Sequence, residues 1–241
     1  MVEISDVVRI MDRWIETEPQ RCHHVVNSGM HGIMEARRDP VFKAVLEAAD
    51  LFAPDGILVV LVSRLRGFSI KKRNTGPELL SHFAQVASDK GRRCFFYGDT
   101  ERTLQLLAST LTDSFPGLRI AGMVSPPFRP LTLAEEASII QDINEAEPDV
   151  LWVGLGMPKQ EWWIARHRDQ LKVPVVVGAG ASFKFLGGTV RRAPAWLRNS
   201  GFEWLLRLYQ EPERVWRRVF LDAPLFIGLV ALELSGLKRY R

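Results

Sequence analysis

Short apolar runs alternate along this chain with longer stretches of helical period, and that alternation constrains the fold more than any other feature. The runs at 23–26, 51–53, 93–97, 118–124, 150–153 and 173–177 have strand length. The patterns at 39–49, 56–65, 77–90, 100–115, 132–145 and 158–170 predict helices. Pro77 opens one of them, where a missing N–H costs nothing. Strands that are apolar throughout are covered on both faces, and strand–helix–strand order makes neighbours parallel. The expected fold is α/β: a parallel sheet with helices on both faces. From about Pro194 the strands cease and the chain becomes Trp- and Arg-rich helix, which divides a core, 1–193, from a helical appendage, 194–241.

The charge is as unevenly distributed as the strands. Of the 241 residues, 187–241 carry ten Lys/Arg against five Asp/Glu, while the other 186 hold 22 against 23. The net +4 therefore resides in the C-terminal quarter, which points to an anionic partner there. The closing stretch VFLDAPLFIGLVALELSGLKRYR is too short and too interrupted to span a bilayer, but suits a segment lying among lipid headgroups. It suits equally a helix buried against the domain or a partner subunit, so a homo-oligomer stays open. Nucleic acid fits poorly, because the basic residues are not interleaved with a reader motif. Two distant cysteines make neither a disulfide framework nor a zinc site, and the charged N-terminus lacks the apolar segment of a signal peptide. The expected location is cytoplasmic, peripheral on the inner face of the cell membrane.

In parallel sheets ligands sit beyond the carboxyl ends of the strands. The loops there are Asn27-Ser28-Gly29, Pro54-Asp55-Gly56, Gly98-Asp99-Thr100, Gly154 to Lys159, and Gly178 to Ser182. GLGMPK and GAGASF each offer G-x-G, but Lys159 and Phe183 replace the third glycine and no acidic residue follows at the spacing of a dinucleotide site. A nucleotide-dependent oxidoreductase is thus an alternative with weak support. Walker, H-E-x-x-H and G-x-S-x-G motifs are absent, as is a D-x-D pair for a metal–diphosphate complex. A bound diphosphate would have to be met by Arg, Lys and backbone N–H groups.

Several motifs in order resemble one family. NSGMHGIMEARRDPVFKAVLEAADLFAPDGILVV, KKRNTGPELL, CFFYGDTE, VLWVGLGMPKQEWWIARHR and the long segment from VVVGAGASF to EPERVWRR are similar to the WecG/TagA/CpsF glycosyltransferases, over nearly all of 23–218. The resemblance implies an inverting transferase of bacterial cell-surface polysaccharide synthesis. Such an enzyme moves a sugar from a UDP-sugar donor to a polyprenyl-diphosphate-linked acceptor. It also implies a Rossmann-like core, a C-terminal appendage at the membrane, no cofactor and no required metal. UDP-N-acetylmannosamine, its uronic acid and UDP-glucose are all compatible donors.

By the same resemblance Asp55 matches the proposed general base, although on its own it reads equally as the N-cap of the following helix. Arg73 and Thr75 match an Arg-x-Thr-Gly element near acceptor or departing diphosphate, and Asn27 a ligand-bonding residue that alone reads equally as the stabiliser of a turn. Gly156, Lys159 and Gln160 belong to the P-K-Q-E loop, placed near nucleotide or phosphate at a helix start, with Lys159 equally readable as surface. Arg207, Arg214 and Arg217 match the motif R-L-x-x-E-P-x-R-x-x-R and would share one face of a continuous helix, but Pro212 predicts a break. They are candidates for a lipid diphosphate, or for surface pairs with Glu211 and Glu213. Two departures stand out: Val25 replaces the family's Thr, and Lys184 replaces the Asp of G-x-F-D-F, which would favour an acidic sugar or acceptor. A non-catalytic sugar-nucleotide- or lipid-binding protein is the other reading these departures leave open.

Overall fold

The computed structural model describes residues 3–68, 75–191, 193–194 and 203–237, without the side chains of 203, 207 and 214. Six strands, β1 (His23–Ser28), β2 (Leu51–Pro54), β3 (Arg93–Tyr97), β4 (Arg119–Val124), β5 (Val150–Val153) and β6 (Val175–Gly178), form one sheet ordered β2-β1-β6-β5-β3-β4. Every neighbouring pair is parallel. Successive side chains of a strand point to opposite faces, and each face here has its own core. Val150 and Trp152 of β5 enter one, Leu151 and Val153 the other.

Helices α1 (Ile4–Thr17), α5 (Gly76–Lys90) and α6 (Glu101–Ser114) cover the first face, and α7 (Leu133–Glu145) and α8 (Lys159–His167) the second. This is the α/β, Rossmann-like architecture expected. Between β1 and β2 lie α2 (Met30–Arg38) and α3 (Pro40–Glu47), and α4 (Ile57–Leu65) follows β2. After β6 come a short helix α9 (Ser182–Leu186), then α10 (Glu203–Gln210), α11 (Pro212–Arg217), a π turn (Arg218–Asp222) and α12 (Ala223–Leu234). Pro212 does break the Arg-rich segment, because its ring removes the donor an uninterrupted helix would need.

Helices α1, α2 and α9 lie outside the expected pattern. In α1 the stripe Val7, Val8, Met11, Trp14 and Ile15 is buried beneath the charges that dominate its sequence. The region from 30 to 47 splits in two because the Asp39 carboxylate accepts from the Val41 and Phe42 N–H groups and Pro40 follows it, so a new helix starts there. Cys22 and Cys94 are buried and unpaired with each other, and burial pushes both thiols up to about 12. Among the described residues no helix is long and apolar enough to cross a membrane.

Candidate functional site

The carboxyl ends of β1 and β2 are held level by register, with Asn27 opposite Ala53 and Ser28 opposite Pro54. The Asp55 N–H donates to the Ser28 carbonyl at 2.8 Å. The two loops touch so closely that a Cβ built on Gly29 would stand 2.3 Å from the Asp55 carbonyl oxygen, so only glycine fits there. The N-cap position of α4 belongs to Gly56, at φ +89°, so Asp55 stands one residue ahead of the cap. A third element closes on the same point. A Cβ on Gly76 would lie 2.4 Å from Ser182 Oγ and 3.7 Å from Asn27 Oδ1. Thr75, buried at the N-cap of α5, therefore sits beside the ends of β1 and β6. Asn27, Asp55 and Thr75 are thus assembled on neighbouring loops, whereas Arg73 lies outside the described residues.

The loop after β5 is organised from inside. Gln160 is 2% exposed, and its amide oxygen accepts from the Gly156 N–H at 3.1 Å and the Gly180 N–H at 2.9 Å. Its Nε2 donates to Glu161 Oε1 at 2.8 Å. One side chain therefore ties the two glycine loops together, and the N–H groups of Gly156 and Gly180 point at Gln160. Lys159, the first residue of α8, is exposed. Gln160, expected near nucleotide or phosphate, is thus an internal strut.

Glu161 was missed by the sequence reading. It has no exposed surface, its Oε2 has no hydrogen-bond partner, and burial pushes its carboxyl up to about 7. The signal lay in the buried stripe Gln160, Trp163, Ile164, His167, on whose flank Glu161 falls three residues before Ile164. Between the unfolded value of 4.5 and about 7 the folded chain holds a proton that the unfolded chain has released. Stability contributed by this group therefore falls as pH rises through that window, by up to about 1.4 kcal/mol per pH unit. Glu161→Gln removes the term, so its stability relative to wild type is expected to grow from pH 4.5 to pH 7, read from urea midpoints across a pH series.

The C-terminal helices are anchored by charge. Asp222, 2% exposed, accepts from Arg38 of α2, which also pairs with Glu35 at 2.9 Å. His31 Nδ1 lies 3.9 Å from Asp222 Oδ2, and burial first, then the Arg218 and Arg38 charges, hold its imidazole down at about 4. His31, Glu35 and Asp222 are the one group among the described residues with metal-ligand spacing, but the Arg38 guanidinium already supplies its cation. Lys184 Nζ stands 3.9 Å from Glu211 Oε1, the residue between α10 and α11. The lysine that departs from the family pattern thus connects α9 to the C-terminal helices. Lys184→Asp is expected to set two carboxylates against each other and to lower the melting temperature modestly, for a change of about 0.5–1 kcal/mol. Glu211→Lys in the same chain should restore it, as a double-mutant cycle would register. The guanidinium of Arg217, an exposed residue, lies 5.6 Å from the ring of Trp216, while the side chains of Arg207 and Arg214 fall outside the described set. Val25 is fully buried in the core beneath the site.

Comparison with known proteins identifies the family. The model of the glycosyl transferase WecG/TagA/CpsF family matches residues 1–240. An N-acetylglucosaminyldiphosphoundecaprenol N-acetyl-beta-D-mannosaminyltransferase of Bacillus spizizenii is 35% identical over 196 residues, 81% of this chain and 74% of the relative. The enzyme of the same name from Bacillus subtilis is 32% identical over 205 residues, 85% and 77% of the two chains. One from Staphylococcus aureus is 24% identical over 218 residues, 89% and 82%. With a match running the length of the chain and through every strand-end loop, the oxidoreductase alternative gives way: the chain belongs to the WecG/TagA/CpsF family of glycosyl transferases.

Proposed function

We propose that the protein transfers an N-acetylhexosaminyl or hexosyl group from a UDP-sugar to a polyprenyl-diphosphate-linked saccharide, with inversion at the anomeric carbon and without a metal ion. The observation that carries this reading is the placement of Asn27 and Asp55 at the adjoining ends of β1 and β2 in a chain of this family. In the proposed step the acceptor hydroxyl oxygen attacks the anomeric carbon from the face opposite UDP. The carbon–oxygen bond to the diphosphate breaks, and the hydroxyl proton passes to the Asp55 carboxylate. UDP leaves as an anion. Arg73, Arg207, Arg214 and Arg217 are the cations assigned to a diphosphate, and Thr75 and Lys159 are assigned to the same ligand.

The names of the relatives supply the first substrate pair to try: an N-acetylmannosaminyl donor and an N-acetylglucosamine carried on undecaprenyl diphosphate. Such an acceptor lies in a bilayer, so 1–193 is read as the catalytic core and 194–241 as the appendage that works at the inner membrane surface, in the synthesis of a cell-surface polysaccharide. The test is a screen of radiolabelled UDP-sugars offered with a short-chain polyprenyl diphosphate bearing N-acetylglucosamine, with and without EDTA. Label is expected to reach the lipid in the presence of EDTA with at least one donor. Label that stays on the nucleotide with every donor would overturn the proposal.

A further inference from the structure

Helix α4 has the sequence ILVVLVSRL, apolar on nearly every side. A helix of that kind is normally covered all round. Here Val59, Val60 and Ser63 are buried, but Ile57, Leu61 and Leu65 are 37%, 44% and 67% exposed, and Phe68, past the end of the helix, is exposed as well. Spacings of four put Ile57, Leu61 and Leu65 on one outward face. Helix α12, APLFIGLVALEL, is in the same condition: Phe226 is buried, while Leu225, Ile227, Leu232 and Leu234 are exposed. The two helices are joined where Arg66 Nη2 meets Glu233 Oε1 at 2.5 Å. Two apolar surfaces therefore adjoin in one chain, beyond the size of scattered exposed leucines.

We propose that the outer face of α4 and the exposed side of the C-terminal helices form a single surface that lies on an anionic lipid bilayer, with α4 as a second contact that holds the Asp55 turn near the membrane plane. The inference rests on the reading of the acceptor as lipid-linked, and extends membrane contact from the tail to the helix that begins two residues after the proposed base. Charge selects the occupant. In sequence each apolar row runs directly into cations, Phe68 into Lys71, Lys72 and Arg73, and Leu237 into Lys238, Arg239 and Arg241. Apolar rows followed in sequence by cations match the interfacial region of an anionic membrane. Since no described helix can cross a bilayer, the contact is one of lying on the surface.

The test is the pair Leu61→Glu and Leu65→Glu in the full chain, read by flotation with vesicles of phosphatidylcholine and phosphatidylglycerol. Binding is expected to weaken by roughly tenfold or more. Transfer to a short-chain, water-soluble acceptor should remain at the wild-type rate, and Leu133→Glu, at a still more exposed leucine outside both helices, should bind vesicles as wild type does. Unchanged vesicle binding in the α4 variant overturns the proposal. So does the conversion of a dimer to a monomer in sedimentation without loss of vesicle binding, which would assign the face to a second copy. If the charged pair lowers the melting temperature, Leu61→Gln with Leu65→Gln gives the same reading without charge. Vesicle binding is measured without any sugar donor, so it reports on this surface whether or not transfer is observed.

Discussion

Asp55→Asn is expected to lower the turnover of sugar transfer by about 10²–10⁴-fold, the range that loss of a general base produces. Asparagine keeps the size of the side chain and can still accept a hydrogen bond, but cannot take the proton of the attacking hydroxyl. Donor binding should be nearly unchanged, because the missing interaction is one made as the new bond forms. Folding should be little affected as well, since the N-cap position of α4 belongs to Gly56 and the Asp55 backbone still bonds Ser28. The measurement is kcat and KM for a UDP-sugar with a soluble acceptor, together with a thermal melt. A variant that retains most of the wild-type kcat would remove Asp55 from the mechanism.

The second large effect concerns Gln160. Gln160→Ala leaves the N–H groups of the half-buried Gly156 and Gly180 without their acceptor and strips the buried Glu161 Oε1 of its donor. A fully buried orphan costs about 1–3 kcal/mol and a partly buried one less, so the chain should lose a few kcal/mol at most and melt visibly lower. Activity is expected to fall further than stability explains, by about 10²-fold at a temperature where the variant is folded, because the loops after β5 and β6 are no longer held in register. Gln160→Glu distinguishes the roles. It keeps an acceptor for both N–H groups but sets a second acid against Glu161, so partial recovery below neutral pH is expected. If Gln160→Ala kept full activity in the folded state, the strut would be irrelevant to the site.

The sheet was legible because buried parallel strands announce themselves as apolar runs, and β3 and β5 fall at the residues the pattern gives. Helix α1 was obscured by the charges on its outer side, and α9 by being only five residues long. At the site, the loops carrying Asn27, Asp55 and Thr75 could be named from their position after strands and from family resemblance. Their convergence depends on tertiary approaches at Gly29 and Gly76 that no local pattern encodes. Gln160 was recognised as important, but its inward orientation follows from which face of α8 meets the sheet. Asp222 interrupts the apolar tail in sequence, but its meeting with Arg38, 184 residues away, is not encoded in any spacing.

The central claim is an inverting transfer of a sugar from a UDP donor to a lipid-diphosphate acceptor at the Asp55 turn. It is tested most directly by the anomeric configuration of the product formed from an α-linked UDP-N-acetylmannosamine donor, read from the one-bond coupling between C1 and H1 in the NMR spectrum. The account predicts a β-linked sugar on the acceptor. A product with the α configuration of the donor, or hydrolysis of the donor with no sugar on the lipid, would contradict it.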